Sequence, residues 1–133
     1  MKLFEPFLKV PRWVLTVVCT LLILYLTLVP KPLPDNDIRF WEHTDKLVHA
    51  IMFGALFVCG YLDLWRGQRA AARGAWLLAA AVAVLGGVIE IVQQAMAMGR
   101  GGSAGDWLAD CGGILLAMLL MTWCTRSPRV QRP

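Results

Sequence analysis

Charge is what this sequence has least of. Asp, Glu, Lys and Arg make up 17% of its 133 residues, where a soluble domain carries about 25%. The charges that do occur stand in short clusters between long uncharged runs. A chain this short cannot bury a 58% hydrophobic complement in one water-soluble core, so lipid is the natural solvent for the surplus. The formal net charge of +4 would fit a nucleic-acid partner, but there is no basic run with interleaved aromatics, and that partner is excluded. Apolar–polar alternation is also missing, which leaves no material for a spanning β-barrel. Paired cysteine motifs are lacking too. Cys19, Cys59, Cys111 and Cys124 lie within or at the ends of apolar runs, without C-x-x-C or histidine spacing for zinc, and read as small packing residues. Spacing assigns no metal ligands and names no cofactor.

What is present is apolar length. The first run, residues 13–29, is free of charge and is closed by Pro30, Pro32 and Pro34. The second, 47–62, has His49 as its only ionisable group and gains length by extending to Trp65. The third is interrupted only by Glu90, Gln93 and Gln94, and the fourth contains Asp110. Helices are expected at about 13–29, 47–65, 75–96 and 107–124, each near the roughly 17–25 residues of a spanning helix. Trp13, Trp41, Trp65, Trp76, Trp107 and Trp123 fall near the segment ends, where indole rings favour the membrane interface. Lys2, Lys9 and Arg12 precede the first run as they would in a signal peptide. That run exceeds an h-region of about 7–15 residues, however, and no small-x-small cleavage site follows it, so a retained helix is expected. The fold class is therefore all-α, an integral membrane bundle of four transmembrane helices in one domain over residues 1–133.

Basic residues set the orientation. Nine of them, Lys2, Lys9, Arg12, Arg66, Arg69, Arg73, Arg126, Arg129 and Arg132, belong to the termini and the middle connection. Four, Lys31, Arg39, Lys46 and Arg100, belong to the alternate connections. The positive-inside rule then puts both termini in the cytoplasm and leaves Asp35, Asp37, Glu42, Asp45 and Asp106 outside.

Polar residues inside the apolar runs carry the chemical information. Asp45 and Lys46 stand four and three residues before His49, near it on a helix surface, and Phe53 continues that face one turn deeper. Glu90 and Gln93 share a face near the outer end of the third helix, and Asp106 and Asp110 lie one turn apart on the fourth. At a rise of about 1.5 Å per residue, His49, Glu90 and Asp110 reach similar depth on three helices. Small residues at four-residue spacing, Ala50 with Gly54, Ala83 with Gly87, and Ala109, Gly113 and Ala117, permit close helix approach. Such a cluster either hydrogen-bonds internally and holds the bundle together, or forms a ligand or catalytic site open to the outside. In the connection before the fourth helix, Ser103 and Asp106 have the S-x-x-D spacing of a helix start. Arg100 there suits either a loop-pinning pair with Asp106 or Asp110, or an anionic ligand. The Gly-Arg-Gly-Gly-Ser string lacks the Lys-Ser/Thr ending of a phosphate loop and follows no strand.

Asp45-Lys46-x-x-His49-x-x-x-Phe53, Glu90-x-x-Gln93, Arg100 and Asp106-x-x-x-Asp110-x-x-Gly113, in that order, resemble the pattern of VanZ-like membrane proteins. The resemblance covers residues 45–113. One departure is Asp110, where many members carry Asn. The resemblance implies a four-helix protein of the bacterial cytoplasmic membrane and cell envelope, in a family named for low-level resistance to the glycopeptide teicoplanin. Three functional classes remain open. In the first, Asp45, Lys46, His49, Glu90, Gln93, Arg100, Asp106 and Asp110 line a site for an anionic lipid or lipid-linked envelope precursor. Lys46 and Arg100 take its phosphate while His49, Glu90 and Asp110 orient them. In the second, His49, Glu90 and Asp110 are the catalytic candidates of an acid–base enzyme, with or without a metal held by His and carboxylates. In the third, a homo-oligomer acts as a small transporter or flippase.

Overall fold

A computed structural model of the chain describes residues 5–29, 44–66, 68–96 and 103–125. Every element in these residues is helical: α1 (Glu5–Leu8), α2 (Val14–Leu28), α3 (Thr44–Trp65), α4 (Ala72–Met96) and α5 (Ala104–Cys124). Three of them, α3, α4 and α5, are long and apolar enough to cross a membrane. The 15 residues of α2 are more apolar still but reach only about 22 Å, short of a hydrocarbon core of roughly 30 Å.

Three of the observed helices extend the expected ones at their starts, while α2 falls one residue short of the expected 13–29 at each end. Helices α3, α4 and α5 begin at 44, 72 and 104 rather than 47, 75 and 107. The added residues are polar or small, and a helix can begin outside the apolar run that it carries. At α5 the start is chemical. Ser103 is the N-cap, and its hydroxyl accepts a hydrogen bond from the Asp106 amide at 3.1 Å, as the S-x-x-D spacing predicts. Hydroxyls inside the apolar helices bond backward to their own backbone, Thr20 to the Thr16 carbonyl and Thr27 to the Ile23 carbonyl, both at 2.7 Å.

Helix α3 is the hub, touching all four other helices, with its most extensive contact against α5. It buries Phe53, Leu56, Phe57 and Tyr61 along one side. Small residues line the facing helices: α4 buries Ala75, Ala79, Val82 and Gly86, and α5 buries Gly113, Ile114 and Ala117. The outward faces are the reverse of a soluble protein's. Leu77, Val84, Ile91 and Leu116 are each more than 60% exposed, a surface that lipid solvates and water does not.

Two glycines set the α3–α5 distance. A methyl group at Gly54 would stand 3.1 Å from the Gly113 carbonyl oxygen. One at Gly113 would overlap the Ala50 peptide, 2.6 Å from its carbonyl carbon. The Ala50/Gly54 and Gly113/Ala117 spacings thus meet each other across one helix crossing. Gly113→Ala is expected to lower the midpoint of thermal unfolding in detergent, because overpacking of this kind costs about 1–3 kcal/mol. Gly112, whose added methyl would meet nothing within 4 Å, provides the contrast. Gly112→Ala should be neutral or stabilising by up to about 1 kcal/mol.

Candidate functional site

The antiparallel run of α3, α4 and α5 brings the first turns of α3 and α5 and the last turns of α4 to one end of the bundle. His49, Glu90 and Asp110 meet there. The Nδ1 of His49 lies 3.1 Å from Asp110 Oδ1, within hydrogen-bonding distance, and 3.6 Å from Glu90 Oε1. All three side chains are buried, Asp110 completely. The other oxygen of Glu90, Oε2, accepts a hydrogen bond from the Ser103 amide at 2.9 Å, tying the end of α4 to the start of α5. Phe53 closes the site from below, its ring stacked beneath the imidazole at a centroid distance of 6.5 Å.

Two oxygens in this cluster have no hydrogen-bond partner among the described residues: Glu90 Oε1 and Asp110 Oδ2. Asp110 Oδ2 points at Gly86, where an added methyl would stand 2.9 Å from it and 3.2 Å from Phe53 Cε1. Gly86 is therefore the glycine that makes room for the carboxylate. The Ala83/Gly87 pair, expected to bring helices together, instead seats Trp107. Its indole Nε1–H donates to the Ala83 carbonyl at 2.9 Å and lies 3.4 Å from where a Gly87 methyl would be.

The other expected site residues divide. Asp45 and Asp106 each bring a carboxylate oxygen into a second set around His49, within 4.8 Å of one another, although Asp45 is exposed. Lys46 lies across the first turn of α5, its Cε 3.1 Å from where a Gly105 methyl would stand. Gln93 is not drawn into the cluster. It is buried and donates from Nε2 to the Thr27 carbonyl at 2.8 Å, fastening α4 to α2. Arg100 lies outside the described residues.

At the opposite end stands a polar group that sequence reasoning passed over. Asp63 is 1% exposed, and its Oδ2 accepts from the Thr16 amide at 2.9 Å and the Thr16 hydroxyl at 2.6 Å. Nearby, the Tyr61 hydroxyl accepts from the Ala70 amide at 2.8 Å and pairs with Thr125 Oγ1 at 3.2 Å. Arg66 donates to the carbonyls of Val10 and Leu8. The available signal was the length of α3: read through to Trp65, the second apolar run contains Asp63 as a second ionisable side chain.

No protein-family model, no curated protein and no solved structure matches this chain. What it does has to be inferred from its own residues.

Glu90→Ala should lower thermal stability in detergent by about 1–3 kcal/mol, because it leaves the Ser103 amide without its acceptor. Glu90→Gln retains an acceptor oxygen and should lose less. Asp45→Ala, at an exposed position, should stay within about 0.5 kcal/mol of the wild type.

Proposed function

We propose that this is a four-span membrane protein of the bacterial cell envelope, with both termini in the cytoplasm and its polar end facing outward. That end recognises an anionic lipid or lipid-linked envelope precursor, a reading that rests on its cations and on the cell-envelope setting that the resemblance to VanZ-like proteins implies. The fourth span is α2, continued through the flanking Trp13 and Val29. The imbalance of basic residues, nine against four, supports the orientation.

The observation that carries this function is the position of Lys46. Its side chain lies over the first turn of α5, where the helix dipole presents its positive end, and an ammonium group there suits a phosphate. Arg100, in the connection leading to α5, supplies the second cation. An apolar crevice of about 230 Å³ between α4 and α5, lined by Ala79, Ala83, Cys111, Ile114 and Leu115, suits part of an acyl chain. A second function, acid–base chemistry by His49 and Glu90 on such a lipid, draws on the placement of His49 Nδ1 between two carboxylates.

Mass spectrometry of co-purifying lipids tests the binding function. Anionic lipid should accompany the wild type and fall several-fold in Lys46→Ala and Arg100→Ala, with both variants as stable as the parent. Equal lipid in all three proteins would refute it. For the orientation, reporter fusions after Gly67 and Ser127 should read as cytoplasmic and those after Asn36 and Gly102 as external. An external signal at Gly67 would reverse the topology.

A further inference from the structure

We propose that His49, Glu90 and Asp110 bind one divalent transition-metal ion with the ligand preference of zinc. Each of the three offers one ligand atom, and these atoms lie within 4.8 Å of one another. Two separations, 3.1 Å from His49 Nδ1 to Asp110 Oδ1 and 3.6 Å to Glu90 Oε1, bear on the fit. A tetrahedral ion with bonds of about 2.0–2.2 Å holds its ligand atoms roughly 3.3–3.6 Å apart. Two sides of the triangle are thus already close to the spacing that such an ion needs.

An orphan oxygen points to a cation independently of the spacing. Glu90 is 6% exposed, yet its Oε1 accepts no hydrogen bond among the described residues. Carboxylate oxygens are strong acceptors, and leaving them bare in an apolar bundle is costly. Glu90 Oε1 is also the oxygen that faces His49, while Oε2 is held by the Ser103 amide, so the carboxylate is oriented with its bare oxygen toward the imidazole.

One nitrogen and two oxygens suit zinc or manganese better than thiolate-preferring copper(I) or the all-oxygen coordination of calcium. Three protein ligands leave a tetrahedral ion one position for water or a ligand oxygen. The alternative triad of Asp45, His49 and Asp106 has comparable spacing, but the exposed Asp45 carboxylate is hydrated without help from a metal. The metal site stands whether or not a lipid headgroup engages Lys46.

Protein purified in detergent, stripped with chelator and titrated with zinc chloride, should take up one zinc ion per chain. X-ray absorption at the zinc edge should show nitrogen and oxygen ligands at about 2.0 Å and no sulfur. Glu90→Gln and Asp110→Asn keep the side-chain shape and an acceptor oxygen. Each should weaken zinc binding by at least about 100-fold, the upper range for loss of a merely supporting group. Asp45→Asn should bind zinc as the wild type does. The metal site is overturned by absence of uptake in the wild type, by sulfur in its spectrum, by unchanged uptake in the Glu90→Gln/Asp110→Asn double variant, or by loss of uptake in Asp45→Asn.

Discussion

The hydrogen bond between His49 Nδ1 and Asp110 Oδ1 joins α3 to α5 out of reach of water, and the rest of the bundle is arranged so that it can form. An aspartate that is completely buried among apolar helices needs a partner, because an unpaired ionisable group in a membrane interior costs about 2.5–3.5 kcal/mol even on the lenient insertion scale. His49 supplies that partner from α3, Glu90 approaches from α4, and the Ser103 amide holds Glu90 in place. Three helices therefore cannot slide or rotate past one another at this end without uncovering a polar side chain.

Close packing and polar chemistry are two aspects of one design here. Gly54 and Gly113 let α3 and α5 approach to backbone contact, and Gly86 leaves the space on α4 that the Asp110 carboxylate fills. Lipid offers little drive for helices to associate through apolar surface alone, so small residues and internal hydrogen bonds have to supply it. At the opposite end Asp63 and Thr16 do for α3 and α2 what the histidine cluster does for α3, α4 and α5. Gln93, reaching the Thr27 carbonyl, adds the link between α4 and α2.

Much of this was legible in the sequence, and the parts that were not have physical reasons. Hydropathy and length find α3, α4 and α5 because lipid imposes a minimum apolar run, and counting residues from the segment ends puts His49, Glu90 and Asp110 at one depth. The small-residue spacings of Ala50/Gly54 and Gly113/Ala117 and the cap formed by Ser103 follow from local rules, but which small stretches meet does not. Nor does the direction of Gln93. Glu90 and Gln93 are one turn apart on α4, yet one faces α3 and α5 and the other faces α2, and only the packing of the helices decides between those neighbours. Gly86 and Gly87 differ in the same way: one residue along the helix separates the seat of a carboxylate from the seat of an indole. Asp63 was missed because a single charge near the end of an apolar run looks like the end of the helix, whereas Thr16 on another helix makes its burial tolerable.

A double-mutant cycle on thermal unfolding in detergent tests the convergence of these helices most directly. It compares His49→Ala, Asp110→Ala and the double variant with the wild type. If the two side chains hold each other across α3 and α5, the second loss should cost much less once the first has been made, with a coupling of at least about 1 kcal/mol. Effects that add to within about 0.5 kcal/mol would mean that the two residues do not meet, and would contradict the shared site.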